Sequence, residues 1–147
     1  MPNVDLVISH RETVAVTRKA MLDAAADWEG TPYLYGGNSD QGIDCSHFVY
    51  QVLNAARQRS ALAGVTPQLI DYRSTDTIEA SHTFFPVTTP EAGDLVLWDG
   101  HVGIVSDPQN GKFIGAQTST GVAEASYSSG YWANHSGKRF VRFVHFF

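Results

Sequence analysis

The only cysteine of this 147-residue chain, Cys45, stands where the sequence changes from a glycine-rich loop to a helical pattern. The loop, residues 36–42, combines three glycines with turn-forming Asn, Ser and Asp residues, a composition that disfavours both helix and strand. Apolar residues then recur at helical spacing, at Phe48, Val49, Val52, Leu53 and Ala56. The pattern predicts a helix that begins at the cysteine, with Asp44 as its N-cap.

A thiol in this position has the surroundings of a nucleophile. The first turn of a helix offers unpaired backbone N–H groups and the positive end of the helix dipole, and both favour the thiolate. A lone cysteine is more often a small buried hydrophobic residue that serves packing. The loop glycines and the Asp-Cys-Ser sequence that opens an amphipathic helix exceed what packing requires, so they favour catalysis.

A thiol nucleophile needs a base, and the position of His101 makes it the candidate. It follows the tight-turn dipeptide Asp99-Gly100 and opens a predicted strand, so we expect its side chain to emerge at a sheet edge and not in the core. Gly103 lies on the same face of that strand and should leave room for another backbone or a helix. Without Cys45, His101 would be interpreted as a polar residue beside a turn; with Cys45, the pairing is favoured.

Length and composition predict one folded domain over residues 1–147, with residues 1–10 as an N-terminal arm. The hydrophobic content is 43% and the formal net charge is −5 at pH 7, which argues against a nucleic-acid partner. No apolar run approaches the length of a membrane span. The six histidines are scattered and no cysteine pair accompanies them, so we expect neither a metal site nor another cofactor.

The N-terminal segment lacks the basic-then-apolar order of a secretory signal. We therefore expect a protein that is made in the cytoplasm without a recognisable signal peptide, or one that is expressed without its leader. The sequence does not separate these two cases.

The elements follow one another as helices first and strands afterwards. A first helix is predicted over residues 11–28, the cysteine helix fades near residues 57–60, and a short helix over residues 73–80 precedes an extended stretch at 83–87. Strands are predicted over residues 95–98, 101–105, 112–116, 122–125 and 139–146. This order predicts an α+β fold in which the N-terminal helices pack on one face of a central antiparallel sheet.

Several separated motifs occur in one order along residues 20–143. They are Gly30-Thr31-Pro32-Tyr33 with Gly36-Gly37, Asp44-Cys45-Ser46, the run from Ala92 to Trp98, the run from His101 to Val105, Phe113-Ile114, and the run from Ser119 to Val122. Together they resemble the NlpC-type family of papain-like cysteine peptidases, which cleave bacterial cell-wall peptides. The resemblance implies the papain-like NlpC-type fold.

The resemblance also implies an activity and its residues. The expected enzyme is a cysteine endopeptidase of peptidoglycan stem peptides, typically cleaving the amide between γ-D-glutamate and a diamino acid. Cys45 would be the nucleophile and His101 its base, while Tyr33 would lie near the oxyanion. Asp44 and Ser46 would help to shape the pocket that reads the substrate.

The third catalytic residue of the family, often a histidine, falls on Gly115, which has no side chain to orient a base. Gln117 would point to the same face and can offer an amide oxygen to the His101 ring. Asn134 and His135 are more distant candidates. An ordinary exposed residue at a strand end is an equally good interpretation of Gln117.

Two further histidines are expected to stand outside the site. His47 replaces the glycine that commonly follows Asp-Cys-Ser in the family, and we expect it to be exposed on the helix surface. His145 lies in the last predicted strand, where a structural or exposed role is expected.

Two other functions are compatible with the sequence, one that uses the Cys-His pair and one that does not. The Cys-His pair could serve acyl transfer or deacylation of another amide or ester, and a non-catalytic wall-binding or phage-tail component could keep the fold alone. If the chain is complete, a secretion machine or a phage particle must deliver it to the periplasm or cell wall. A producing cell would then need an inhibitor or immunity protein as a partner.

Overall fold

The computed structural model describes residues 18–60, 78 and 84–143, which form an α+β fold. The helices are α1 (18–26), α2 (Cys45–Ser60) and the short α3 (Tyr131–Asn134). The strands are β1 (Asn38–Ser39), β2 (Gly42–Ile43), β3 (Phe84–Val87), β4 (Leu95–Trp98), β5 (His101–Asp107), β6 (Lys112–Gln117), β7 (Gly121–Ser126) and β8 (Arg139–Phe143). The predicted arm at 1–10, the helix predicted before residue 18, His145 and nearly all of the short helix predicted at 73–80 lie outside the described residues.

The helix at Cys45 forms for the predicted reason. The Asp44 side chain accepts a hydrogen bond from the backbone N–H of His47 at 2.8 Å, and the Asp44 carbonyl accepts the first helical bond from Phe48 at 3.0 Å. Asp44 is therefore the N-cap of α2. The apolar stripe of the helix is buried: Phe48 and Val52 have no exposed surface.

The six-stranded sheet is antiparallel throughout, in the order β3-β8-β4-β5-β6-β7. Strands β4 to β7 make the predicted meander. The last strand, β8, does not continue it but returns to lie between β3 and β4. This position came from long-range pairing, which the sequence pattern did not indicate.

The sheet separates two hydrophobic cores, because successive side chains of a strand point to opposite faces. On one face α2 packs over β5 and β6, and residues such as Leu97 and Ile104 join its apolar stripe. This arrangement confirms the predicted α+β architecture. The opposite face carries a smaller, mostly aromatic core around Trp98, Phe113 and Trp132, which the sequence did not predict.

A buried carboxylate ties three distant parts of the fold together. Asp94 has no exposed surface, and its two oxygens accept hydrogen bonds from Arg142 Nε and Nη2 of β8, both at 2.9 Å. Arg18 Nη1 of α1 lies 3.3 Å from the same carboxylate, and the Glu91 N–H donates to it at 2.7 Å. The hydrogen bond with Asp94 raises the pKa of Arg142, so the pair stays charged.

We expect Asp94→Ala to lower the free energy of unfolding by about 3 kcal/mol, because it removes the fully buried partner of two mostly buried guanidinium groups and leaves them the exposed carboxylate of Glu91 as an ion-pair partner. Denaturant unfolding followed by circular dichroism measures this change. The matched control is Asp23→Ala, since Asp23 is exposed and pairs with Lys19 at the i,i+4 position. The control should change stability by no more than about 0.5 kcal/mol; equal losses in the two variants would contradict a structural role for the cluster.

Candidate active site

The backbone around residues 30–33 holds the cysteine loop against the sheet. The Gly30 N–H donates to Val122 O and the Val122 N–H donates to Thr31 O, both at 2.9 Å, while the Ile43 N–H donates to Pro32 O at 3.0 Å. The segment thus bridges β7 and β2. Gly121, at φ +72°, makes the approach possible, because a Cβ there would collide with the Thr31 carbonyl oxygen.

Asp44 and Ser46 flank the cysteine but face the loop and the helix start. The second carboxylate oxygen of Asp44 accepts the Gly36 N–H at 3.1 Å, and the first accepts the Ser46 hydroxyl at 3.3 Å. His47 is not exposed as predicted: its side chain is 20% exposed, and its Nδ1 lies 2.9 Å from the same Asp44 oxygen. The contact with the carboxylate holds the imidazole against the protein, so that most of the ring is shielded from solvent.

A pocket of about 280 Å³ brings together four of the predicted site residues. Tyr33, Cys45, His101 and Gln117 line it, whereas Asp44 and Ser46 do not. Cys45 comes from the start of α2 on the helical face. His101, by the alternation of β5, belongs to the aromatic face, so the pocket lies at the end of the sheet where the two cores meet.

His101 is buried, with 7% of its surface exposed, in contrast to the predicted sheet-edge position. Its strand lies inside the sheet, and the Trp132 ring covers the imidazole in a stacked arrangement with centroids 4.2 Å apart and planes at 16°. The Trp98 indole N–H holds Trp132 in place by donating to its carbonyl oxygen at 2.8 Å. A Cβ on Gly103 would meet the Phe113 ring and, at 3.2 Å, the backbone carbonyl oxygen of Ile114, so the space is taken by an aromatic ring and the neighbouring strand and not by a helix.

Gln117 is buried and holds the His101 ring in one orientation. Its Oε1 lies 3.2 Å from His101 Nε2, and its Nε2 donates to the Ala123 carbonyl oxygen at 3.2 Å. The second contact fixes which end of the amide faces the ring, since only the NH₂ group can donate to a carbonyl. The imidazole therefore carries its proton on Nε2 and leaves Nδ1 able to accept one.

The two more distant candidates for this position are engaged elsewhere. Asn134 is exposed and donates from Nδ2 to the Gly130 carbonyl oxygen at 3.1 Å. His135 lines the pocket, but its Nε2 lies 3.1 Å from the Asp99 carbonyl oxygen. Among the described residues, Gln117 is the one that accepts the hydrogen bond from the His101 ring.

Burial controls the charge of the site. It lowers the pKa of His101 from 6.5 to about 4, against a smaller opposing effect of the Gln117 hydrogen bond and with a further lowering by His135. Burial, followed by the charges of Cys45 and Asp44, raises the pKa of Tyr33. At neutral pH the imidazole is thus an uncharged base and the phenol retains its proton for donation.

Sequence patterns missed Trp132, whose ring covers the imidazole of His101. The signal available was the Tyr131-Trp132 pair after a Ser-Ser-Gly turn, but nothing local relates that pair to His101, 31 positions earlier. Among the described residues, no group of three or more His, Cys, Asp or Glu side chains is arranged to hold a metal ion. No helix in the described ranges is long and apolar enough to span a membrane.

We expect the His101 ring to titrate near pH 4 and not near 6.5 when its C2 proton is followed by NMR. Between these values the unfolded chain binds the proton more readily than the folded protein does. The contribution of His101 to stability is therefore complete above pH 6.5 and is lost as the pH falls toward 4.

Trp132→Ala is the matched variant for this titration, because it admits water to the ring and should raise the pKa of His101 toward 6.5. An unchanged titration in this variant, or a wild-type ring that titrates near 6.5, would contradict burial as the cause.

Comparison with known proteins gives one consistent family. The NlpC/P60 family model matches residues 30–140. The chain is 33% identical over 120 residues to the murein DD-endopeptidase MepS/murein LD-carboxypeptidase of Escherichia coli strain K12, an alignment that covers 78% of this chain and 57% of that protein. It is 32% identical over 116 residues to the probable endopeptidase NlpC of the same strain, with coverages of 75% and 68%.

A solved structure agrees with these relatives. The crystal structure of the NlpC/p60 domain of the peptidoglycan hydrolase SagA superposes with a TM-score of 0.58 at 28% identity, covering 84% of this chain and 96% of that one. The chain thus matches nearly the whole of that domain but spans only 57% of MepS. With the family model matching most of its length, this chain belongs to the NlpC/P60 family.

Proposed function

We propose that this chain is a cysteine endopeptidase that hydrolyses amide bonds in the stem peptides of bacterial peptidoglycan. The observation that carries the proposal is the pocket that Cys45 lines together with a buried, uncharged His101, whose ring bonds to Gln117. The names of the relatives support the substrate class, since MepS is called a murein endopeptidase and SagA a peptidoglycan hydrolase.

The reaction begins with the thiol of Cys45. His101 Nδ1 accepts the thiol proton as the sulfur attacks the carbonyl carbon of the scissile amide, which gives a tetrahedral oxyanion. Collapse of this intermediate breaks the C–N bond, and the imidazolium returns its proton to the departing amine. Water, activated by the same imidazole, then hydrolyses the thioester and regenerates the thiol.

The oxyanion needs donors that are already in position. Backbone N–H groups at the start of α2 and the Tyr33 hydroxyl supply them in this proposal. Support comes from the position of Tyr33 in the same pocket as Cys45 and from its raised pKa, which keeps the phenol protonated. A helix N-terminus also favours negative charge through its dipole.

Asp44 and Ser46 take part in substrate recognition through the shape that they give to the site. Both flank Cys45 without lining its pocket, and their side chains bond to each other at 3.3 Å. Asp44 also accepts the Gly36 N–H, so it fixes the start of the loop that follows Tyr33 relative to the helix. In this proposal the two side chains fix the shape of the surface that the stem peptide contacts.

The scissile bond that we propose is the amide between γ-D-glutamate and a diamino acid. The name of MepS offers a different bond, since it describes a DD-endopeptidase and an LD-carboxypeptidase. Digestion of purified peptidoglycan followed by mass spectrometry separates these cases, because each cleavage leaves fragments of different composition. Loss of crosslinked dimers without new γ-D-glutamyl termini would favour the bond named for MepS.

In the same digestion we expect Cys45→Ala to abolish cleavage while the protein stays folded, because it removes the nucleophile and little volume. His101→Ala should be nearly as damaging, since the two residues act as a unit. Tyr33→Phe should slow turnover on the order of 10²-fold, as for a lost oxyanion donor.

The control for Tyr33→Phe is Tyr127→Phe, which removes a phenol that does not line the pocket and whose hydroxyl donates to the Pro108 carbonyl oxygen at 3.5 Å, so turnover should be unchanged. Wall cleavage by well-folded Cys45→Ala would refute the cysteine mechanism.

Acyl transfer or deacylation by the same Cys-His pair is the second candidate. It shares the thioester and differs in the acceptor, so products that carry an added amine in place of a free carboxylate would identify it. A non-catalytic wall-binding or phage-tail role is disfavoured because a pocket lined by both a thiol and a buried, uncharged imidazole has no use in binding.

We further propose that the protein acts in the periplasm or on the cell wall, where an inhibitor or immunity protein restrains it. Tyr131, which lines the pocket, is 69% exposed, and Leu34 and Tyr35, which follow Tyr33 in the chain, are 55% and 90% exposed; these side chains offer such a partner an anchoring surface.

Expression directed to the periplasm of a test bacterium should be toxic, whereas cytoplasmic expression should not be, because the substrate is outside the inner membrane. Growth curves and lysis by light scattering measure the effect, and periplasmic Cys45→Ala is the control. Equal harmlessness in both compartments, at equal protein levels, would count against this location.

A further inference from the structure

Gly115 lies beside a side-chain oxygen that occupies the space a Cβ would need. A Cβ placed on Gly115 would lie 2.5 Å from Oε1 of Gln117, which is far inside van der Waals contact. That oxygen is the one that meets His101 Nε2 at 3.2 Å. The volume in which any other residue at 115 would begin its side chain is therefore already occupied by the group that orients the base.

The Gln117 side chain reaches this volume by folding back along its own strand. In the pairing of β6 with β7, Gly115 stands opposite Ala123 and Gln117 stands opposite Gly121. The Gln117 amide nevertheless donates to the carbonyl of Ala123, the partner of Gly115. The side chain thus lies two residues back along β6, over the bare backbone of Gly115.

We propose that Gly115 is a positioning residue. The absence of a Cβ leaves a space, here called the seat, and the Gln117 Oε1 that holds His101 occupies it. The inference rests on the proposed function, in which that oxygen orients the catalytic base. Positions 115 and 117 then exclude each other: the orienting oxygen comes from 117 only while 115 is glycine. Gly115 stands at the position of the family's third residue, and its missing side chain admits an orienting oxygen from the next position on the same face.

Gly115→Ala is a clean perturbation of this arrangement. Gly115 is not among the positive-φ glycines, so alanine brings no backbone strain. The new methyl would meet the free end of the Gln117 side chain first and the Phe113 ring next, at 3.3 Å. The fold can therefore keep its place while the amide swings away from His101.

The experiment is a double-mutant cycle of Gly115→Ala and Gln117→Ala, read by the rate at which iodoacetamide alkylates the thiol. Cys45 is the only cysteine, so one rate describes the site without any peptidoglycan. Without the Gln117 hydrogen bond, the imidazole can place its proton on Nδ1, where it cannot accept the thiol proton. We expect each single variant to react roughly tenfold more slowly at neutral pH, as for one lost hydrogen bond.

The double variant decides whether the two positions share one effect. If the methyl acts only by displacing the amide, the double variant should be no slower than Gln117→Ala alone. A conserved melting temperature across the set excludes general loosening of the sheet. Independent effects that multiply in the double variant would overturn the proposal, and so would a wild-type alkylation rate in Gly115→Ala.

A rescue variant tests the seat itself. The oxygen of an asparagine lies roughly 2.4 Å from its own Cβ, the span of a carbon–carbon bond and a carbonyl bond at 120°. Gly115→Asn combined with Gln117→Ala can therefore return an amide oxygen to the same point. We expect this pair to recover most of the wild-type alkylation rate and its pH profile, which a merely structural glycine would not allow.

Peptidoglycan digestion by the same variants separates this inference from the function on which it rests. Parallel losses in alkylation and digestion, both restored by the rescue variant, support the two together. The expected alkylation pattern in a protein that digests no peptidoglycan would keep the role of Gly115 and refute the proposed substrate. Failure of the rescue variant in both assays, with its fold intact, would overturn the role of the seat.

Discussion

The hydrogen bond between Gln117 and the His101 ring is the interaction on which the site depends. A buried imidazole loses its water, and the amide oxygen replaces one hydrogen bond at 3.2 Å while it dictates which ring nitrogen carries the proton. Trp132 closes the other side of the ring at 4.2 Å. The charge, tautomer and orientation of the imidazole therefore depend on two neighbours that belong to different elements.

The fold brings residues from the two faces of one sheet together at the same end of the sheet. Cys45 arrives on a helix packed against one face, and His101 belongs to the aromatic core on the other. The bridge of residues 30–33 between β7 and β2 holds the cysteine loop at that end. Asp94, which does not line the pocket, bonds to Arg18 of α1 and Arg142 of β8 and so joins the first helix to the sheet that carries His101.

Local chemistry made part of this predictable and long-range packing did not. The cap at Asp44, the helix after it and the meander follow from spacing and turn residues, which act over a few positions. The burial of His101 depends on Trp132, which comes from a distant turn, and the position of β8 between β3 and β4 also depends on long-range pairing. The value of Gly115 was also hidden, since a missing side chain gains its meaning only from the neighbour that occupies its space.

Nitrogen-15 NMR of the histidine rings tests the central claim most directly, because protonated and bare ring nitrogens have well-separated chemical shifts. In the wild-type protein at neutral pH, the structure predicts that His101 is uncharged, with its proton on Nε2 and a bare Nδ1. A ring that carries its proton on Nδ1, or a doubly protonated imidazolium, would contradict a base that Gln117 holds ready for the thiol of Cys45.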